Sequence, residues 1–436
     1  MQCVVLVPGI MGSVLKTPQG DEIWPPKPSE VIFGYDRMDQ LLRDDLRASD
    51  IIRKVSCFNV YEPIVSTLNQ LGYREGDRDS RLDIFFYDWR RDLEPTAQLF
   101  SDRLNQLVKN GASSIMIVAH SMGGLVSRLT LEPPTYRGQP WFSKVQALFT
   151  LATPHRGAPL ALARILGLDS CLGLSGDDIK TLAADPRYPS AYQLLPAPGE
   201  DACWDITAPR LAPLNIYASA SATKIGLDPN LVARAKFVHD SLAAGQQPAH
   251  IRYFTFGATG HKTVTRVNIT STEKIPTTTG DAGDGTVPMW SAFGPVEQKQ
   301  LVRGEHASMF TGDEFDAVFW RLFGQDYPMP PLKLAPSRVR LSVHDLVIPR
   351  GEEVEVLLVP DLPTPEIKGS LTLSFTEDPD KAFAVVGDPV NISYSGPEVP
   401  HLRMQLPGLE KPGHYQLSYQ GAPGPGGPVL FSVQKG

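Results

Sequence analysis

What the chain lacks constrains it first. Among 436 residues only four are cysteines, Cys3, Cys57, Cys171 and Cys203, and their wide, irregular spacing forms no metal-ligand pattern. Cys3 falls in an apolar run and reads as a small hydrophobe. Cys171 and Cys203 would pair only if the chain were exported, which the sequence does not decide. No apolar run approaches the length of a membrane span. The chain opens on Met1-Gln2 and enters a strand at once, without a basic n-region, an apolar h-region or a cleavage site. These absences predict a soluble cytoplasmic protein, although a mature form stripped of its leader would read the same. The net charge is -7 and no Lys/Arg cluster stands out, so no nucleic-acid partner is expected. No metal or organic cofactor is implied either. What remains is ordinary globular composition, 42% hydrophobic and 20% charged, over a length sufficient for two or three domains.

The most informative stretch is 115–124, Ile-Met-Ile-Val-Ala-His-Ser-Met-Gly-Gly. Ile115 to Ala119 reads as a short buried strand, and Met122-Gly123-Gly124-Leu125-Val126 opens an amphipathic helix. A serine on the sharp turn between such elements is a nucleophile elbow, usually written G-x-S-x-G. Ala119 stands in for the first glycine, because the demand is for small residues where strand and helix pass close. Ser121 thereby presents its hydroxyl at a helix N-terminus, which favours negative charge.

Upstream, Cys3 to Val7 is a continuous apolar run, hence a buried parallel strand. Pro8-Gly9-Ile10-Met11-Gly12-Ser13 follows, a glycine-rich turn whose backbone N–H groups can face a cavity. In α/β-hydrolases this loop supplies half of the oxyanion hole. The two expected donors are the N–H groups of Met11 and Met122. Residues 14–57, punctuated by Pro18, Gly20, Pro25, Pro26 and Pro28, read as a lid-like insertion, with a charged helix over Leu41–Ile52. Trp24, Ile32 and Phe33 would contact an apolar substrate or seal the insertion.

Further along, helices are expected over Val60–Leu71 and Glu94–Val108, and strands over Leu82–Tyr87 and Val145–Leu151. This alternation of strand and helix predicts a doubly wound, mostly parallel α/β sheet. It breaks at 158–249, read as a cap insertion with helices near Leu160–Leu166 and Leu231–Leu242 and a strand at Asn215–Ala218. Ile251–Gly257 resumes the sheet. Thr263 to Thr279 reads as a loop or hairpin, Gln300–Val302 as the last strand and Asp313–Phe323 as the closing helix. The catalytic domain is therefore expected over 1–327 and a linker over 328–335. Residues 336–436 alternate apolar and polar positions in short runs, such as Val339–Val343 and Val429–Val433. They predict an all-β Ig-like sandwich without the cysteine pair or tryptophan of a true Ig domain.

A serine hydroxyl needs a base, usually a histidine held by a carboxylate. In α/β-hydrolases the order along the chain is serine, acid, histidine. Of nine histidines, His120, His155, His239, His250 and His261 precede the expected acid, and His344, His401 and His414 lie in the sandwich. His306, between the last strand and the closing helix, remains. Asp284, in the glycine-lined Gly283-Asp284-Gly285, is the expected acid, and Asp281 is its rival. His120 and His155 would line the cleft, and Arg156 would meet a phosphate headgroup. Asp88 and Arg90 are expected to pair or to pin neighbouring loops rather than to touch substrate.

Five motifs, Val7-Pro8-Gly9-Ile10-Met11-Gly12-Ser13, Tyr87-Asp88-Trp89-Arg90, Ala119-His120-Ser121-Met122-Gly123-Gly124, Gly283-Asp284-Gly285-Thr286-Val287-Pro288 and Glu305-His306, together resemble the lecithin:cholesterol acyltransferase family over roughly residues 1–325. That family includes lysosomal phospholipase A2 and phospholipid:diacylglycerol acyltransferase. The resemblance implies a serine hydrolase or acyltransferase of lipid esters, with Ser121, Asp284 and His306 as the triad. It also implies a lipid substrate, an alcohol as a possible acyl acceptor, and peripheral contact with a membrane. The secreted animal members carry a disulfide in the lid insertion, where this chain has only Cys57, and they lack the C-terminal sandwich. A bacterial relative would fit the missing signal and the added domain. A carboxylesterase for small esters and an inert hydrolase-fold scaffold are the alternatives.

Overall fold

The computed structural model describes residues 1–207, 211–294, 298–328 and 338–435. Its centre is a seven-stranded sheet in which every pairing is parallel. The strands are β1 (Gln2–Val7), β2 (Arg74–Glu75), β3 (Ser80–Ile84), β4 (Ser114–His120), β5 (Val145–Leu151), β6 (Arg252–Thr259) and β7 (Gln298–Arg303), in the spatial order β7-β6-β5-β4-β1-β3-β2. The apolar runs follow from burial on both faces. In β1, Cys3, Val5 and Val7 join one hydrophobic core, and Val4 and Leu6 join the other. The first core includes residues of helices Leu93–Lys109 and Met122–Leu131, the second those of Glu62–Gln70 and Asp313–Leu322. Helices on both faces of a parallel sheet, with the sharp Ser121 turn at the end of a central strand, make this an α/β-hydrolase fold.

The insertion after β1 is more regular than its prolines suggest. Ser13–Lys16, Glu22–Trp24 and Arg47–Ile51 form a three-stranded antiparallel sheet. The helix expected over Leu41–Ile52 is therefore a correction: only Met38–Leu41 is helical, and Arg47–Ile51 is a strand. The reason is tertiary. The buried Arg90 guanidinium takes the carbonyls of Leu41 and Arg43, acceptors that a continuing helix would need. The backbone beyond them pairs with Ser13–Lys16 instead.

The cap has a core of its own, built from helices Pro159–Ile165, Ser219–Ile225 and Pro229–Ala244 and from the hairpin His261–Ile269/Lys274–Gly283. The threonine-rich stretch is thus a hairpin. It extends a small sheet with Cys203–Asp205 and Ala212–Pro213. No strand forms at Asn215–Ala218, a second correction. Asn215 Oδ1 accepts the Tyr217 N–H at 3.0 Å, and this local turn bond competes with any ladder.

Beyond Pro328, the expected linker lies outside the described residues. The C-terminal region, from Val339–Val343 to Gly426–Gln434, is a nine-stranded connected sheet folded over one apolar core, a β-sandwich. It rests against the hydrolase fold. Arg403 pairs with Asp281 at 2.8 Å, and Leu346, Val347 and Leu430 pack on the first core. All four cysteines are free. No helix among the described residues is long and apolar enough to cross a membrane.

Candidate active site

The elbow is strained as its motif demands. Ser121 sits at φ 51°, ψ -127°, outside the regions that ordinary side chains occupy. Neighbours hold it there: its N–H donates to the Leu151 carbonyl at 2.8 Å, and its carbonyl accepts from Gly124 at 3.0 Å. Small residues are required on geometric grounds. A Cβ on Gly123 would lie 2.5 Å from the carbonyl oxygens of Val7 and Pro8. One on Gly124 would overlap the Thr153 side chain.

Ser121, Asp284 and His306 come together. His306 Nδ1 lies 2.8 Å from Asp284 Oδ2, and its Nε2 lies 3.0 Å from Ser121 Oγ. The fully buried Asp284 also accepts the N–H groups of Thr286 (2.9 Å) and Val287 (2.7 Å) through Oδ1. With the carboxylate an acceptor only, the imidazole donates through Nδ1–H and offers Nε2 to the serine. Burial alone would lower the His306 pKa, but the charge and hydrogen bond of Asp284 outweigh it and hold the pKa above the ordinary value. The backbone adds a further tie, from the His306 N–H to the Asp284 carbonyl at 2.9 Å. Asp281 faces away, bound to Arg403.

The loop after β1 is pinned at almost every residue. The Pro8 carbonyl accepts from Tyr87 Oη, the Gly9 N–H donates to Tyr61 Oη (both 2.8 Å), and the Met11 carbonyl accepts from Trp24 Nε1 at 2.9 Å. Met11 itself has φ 60°. The N–H groups of Met11 and Met122 have no hydrogen-bond acceptor among the described residues. The Tyr87-Asp88-Trp89-Arg90 motif gains a physical meaning here. Tyr87 holds the loop directly, and Trp89 packs edge-on to Trp24 at 5.4 Å. Arg90 is bound to Asp88 (2.8 and 2.7 Å) and stacks 4.3 Å from the Tyr188 ring, tying lid to cap. Structural pinning, expected for Asp88 and Arg90, is what they do.

Of the four expected substrate contacts, Trp24, His120 and His155 are buried and Arg156 is partly exposed, and each has protein partners. Trp24 is fully buried behind the loop after β1, where its Nε1 donates to the Met11 carbonyl. His120 has both ring nitrogens engaged, by Tyr61 Oη at 2.8 Å and the His306 carbonyl at 3.1 Å. His155 lies between Arg128 and Thr150, both at 3.3 Å, and burial drives its pKa well down. Arg156 is bound to Glu200 at 3.0 Å and to the Trp290 carbonyl. Each is a side chain with a polar tip, and the same residue type serves equally behind a wall or on it. Tyr61 and Phe310, which pack around the histidines, carried no motif and escaped sequence reasoning. Ser121 is only 5% exposed. Two surface grooves, of about 320 Å³ beside Asp92 and Arg234 and about 140 Å³ beside Glu200 and Trp290, do not include it.

Residues 41–225 match the family model described as lecithin:cholesterol acyltransferase. A Yarrowia lipolytica protein, named as a candidate GPI inositol-deacylase C, is 33% identical over 110 residues. That alignment covers 22% of this chain and only 12% of the relative. Among solved structures, lipase BlEst2 of Bacillus licheniformis aligns in its mature form at 14% identity, over 74% of this chain and 91% of that one, with a TM-score of 0.40. Its propeptide form aligns at 13% identity over 99% and 92%, with a TM-score of 0.39. The stretch that matches the lecithin:cholesterol acyltransferase family model, residues 41–225, is less than half of the chain and includes the Ser121 turn but neither Asp284 nor His306.

Proposed function

We propose that this protein is a serine-dependent acyl hydrolase or acyltransferase of lipid esters that works through an acyl-enzyme on Ser121. The observation that carries the reading is the continuous contact from Asp284 Oδ2 through His306 to Ser121 Oγ, at 2.8 and 3.0 Å. The reaction follows from these groups. Ser121 Oγ attacks the ester carbonyl while His306 Nε2 takes its proton, and Asp284 stabilises the imidazolium without accepting the proton. Charge developing on the carbonyl oxygen meets the N–H groups of Met11 and Met122, each worth ~10²–10³ in rate. Collapse of the tetrahedral adduct breaks the ester C–O bond, and His306 returns the proton to the departing alkoxide. Water or an alcohol then takes the acyl group by the reverse sequence. The family match supports the lipid ester as substrate class, and the deacylase named in the fungal relative is a reaction of the same kind.

The test is mass spectrometry of the protein after a fluorophosphonate probe, with turnover of p-nitrophenyl esters of graded chain length and of phospholipid vesicles with and without an added alcohol. Labelling on Ser121, and loss of several orders of magnitude of turnover in Ser121→Ala, are expected. Full activity in that variant would sink the assignment. Preference for acetyl esters with no vesicle cleavage would make the protein a small-ester carboxylesterase. Failure to label or turn over any ester would leave an inert hydrolase fold.

A further inference from the structure

We propose that Tyr61 and His120 are positioning residues that lock the oxyanion loop to the histidine loop through one directional hydrogen-bond chain. The inference rests on the serine-hydrolase reading above. The chain runs from the Gly9 N–H to Tyr61 Oη (2.8 Å), from Tyr61 O–H to His120 Nδ1 (2.8 Å), and from His120 Nε2–H to the His306 carbonyl (3.1 Å).

Its direction is forced by its ends. A backbone N–H can only donate and a carbonyl can only accept. The tyrosine hydroxyl therefore receives from Gly9 and gives to Nδ1, and His120 must carry its proton on Nε2. A second proton on Nδ1 would point two N–H groups at Tyr61 Oη and leave the phenolic proton without an acceptor. Burial disfavours that charged form as well and holds the His120 pKa well below the ordinary value. His120 is thus a neutral Nε2–H imidazole beside His306, which is the Nδ1–H form. The two rings are 4.9 Å apart.

The chain joins three segments distant in sequence. At one end it holds Gly9, two residues before the donor at Met11. His120 directly precedes Ser121. At the other end it holds the carbonyl of His306, whose N–H is already tied to Asp284, so the peptide units on both sides of the catalytic imidazole are fixed. Phe310 braces the assembly, stacked on Tyr61 (6.1 Å, 12°) and edge-on to His120 (5.4 Å, 87°). Tyr61 and His120 are 2% and 5% exposed, so neither has water to replace a lost partner. Neither reaches substrate. Their effect falls on the relative placement of oxyanion donor, nucleophile and base, where displacements near 1 Å cost about 100-fold in rate.

The full-length protein is assayed on p-nitrophenyl butyrate after probe labelling has located its nucleophile. Tyr61→Phe and His120→Phe keep aromatic bulk and cut the chain. Each is expected to lower kcat about 10- to 100-fold with KM changed less than about threefold. Because they cut one chain, the double variant should lose little beyond either single one. His120→Gln retains an N–H donor near the Nε2 position and should recover most of the kcat that His120→Phe loses. Folded variants that keep half of wild-type kcat, or that lose activity only through KM, overturn the proposal. A wild type that neither turns over nor labels at Ser121 defeats the hydrolase reading instead. If the variants fail to fold, ¹⁵N-histidine NMR of the wild type decides. His120 should be the neutral Nε2–H tautomer from about pH 5.5 to 8, and an Nδ1–H tautomer or a titration in that range overturns the chain.

Discussion

Replacing Glu305 with glutamine should flatten the pH dependence of stability. Glu305 directly precedes His306, and its Oε2 is buried without a hydrogen-bond partner. Burial, with a smaller contribution from Asp284, pushes its carboxyl from 4.5 up to about 7, against the opposing pull of His306, the Ala307 N–H and the Ser308 hydroxyl. The Cys171 thiol also lies within its field. The sign follows directly. Between these two values the folded protein holds a proton that the unfolded chain has released, so stability is full below about pH 4.5 and falls as pH rises through about 7. A rise of that size corresponds to about 3 kcal/mol, which screening on the partly exposed side reduces to roughly 1–3 kcal/mol. Glutamine keeps the shape and has no charge to desolvate. Melting temperatures of wild type and Glu305→Gln, measured from about pH 4.5 to 8.5 at fixed ionic strength, should coincide at the acid end. They should separate by roughly 1–3 °C in favour of glutamine at the alkaline end. Titrating groups remote from residue 305 are common to both proteins and cancel in the difference, whereas His306, which Glu305 holds up, titrates lower in the variant. A gap that stays constant across the range would refute the argument.

Two further substitutions test the frame around the site. Arg90→Met leaves Asp88 and the carbonyls of Leu41 and Arg43 without their buried cation, and should cost about 3–5 kcal/mol in thermal or denaturant unfolding. It should also speed proteolysis within 38–46, and a loss below about 1 kcal/mol would show that the lid turn stands without it. Gly123→Ala drives a Cβ against the Val7 and Pro8 carbonyls, so the oxyanion loop must move. Turnover should fall about 100-fold, and normal kcat in a folded variant would remove the close-packing reason for that glycine.

The misreadings share a cause. At Leu41–Ile52 the apolar spacing allowed a helix, and what ended it was Arg90, almost fifty residues away, claiming the carbonyls. At Asn215–Ala218 an apolar run looked like a strand until a side-chain amide captured the next turn. Trp24, His120, His155 and Arg156 were expected at the substrate because aromatic and cationic tips often are. Burial placed Trp24, His120 and His155 in the interior, and Arg156, partly exposed, is held by Glu200 and the Trp290 carbonyl. By contrast, the strands of the sheet were legible because burial on both faces writes continuous apolar runs. The order serine, aspartate, histidine was legible because the fold's connectivity imposes it.

The sequence by itself determined where the chain must turn sharply around Ser121, which runs are buried strands, and which aspartate and histidine stand in the right order. Those demands are steric and act over a few residues, so they are written locally. Only the tertiary structure decided that His306 meets Ser121 across 185 positions and that Tyr61 meets His120 across 59. It also decided that His120 bonds Tyr61 and the carbonyl of His306. A buried polar group takes whichever partner packing brings within about 3 Å, and no neighbouring residue in the chain records that choice.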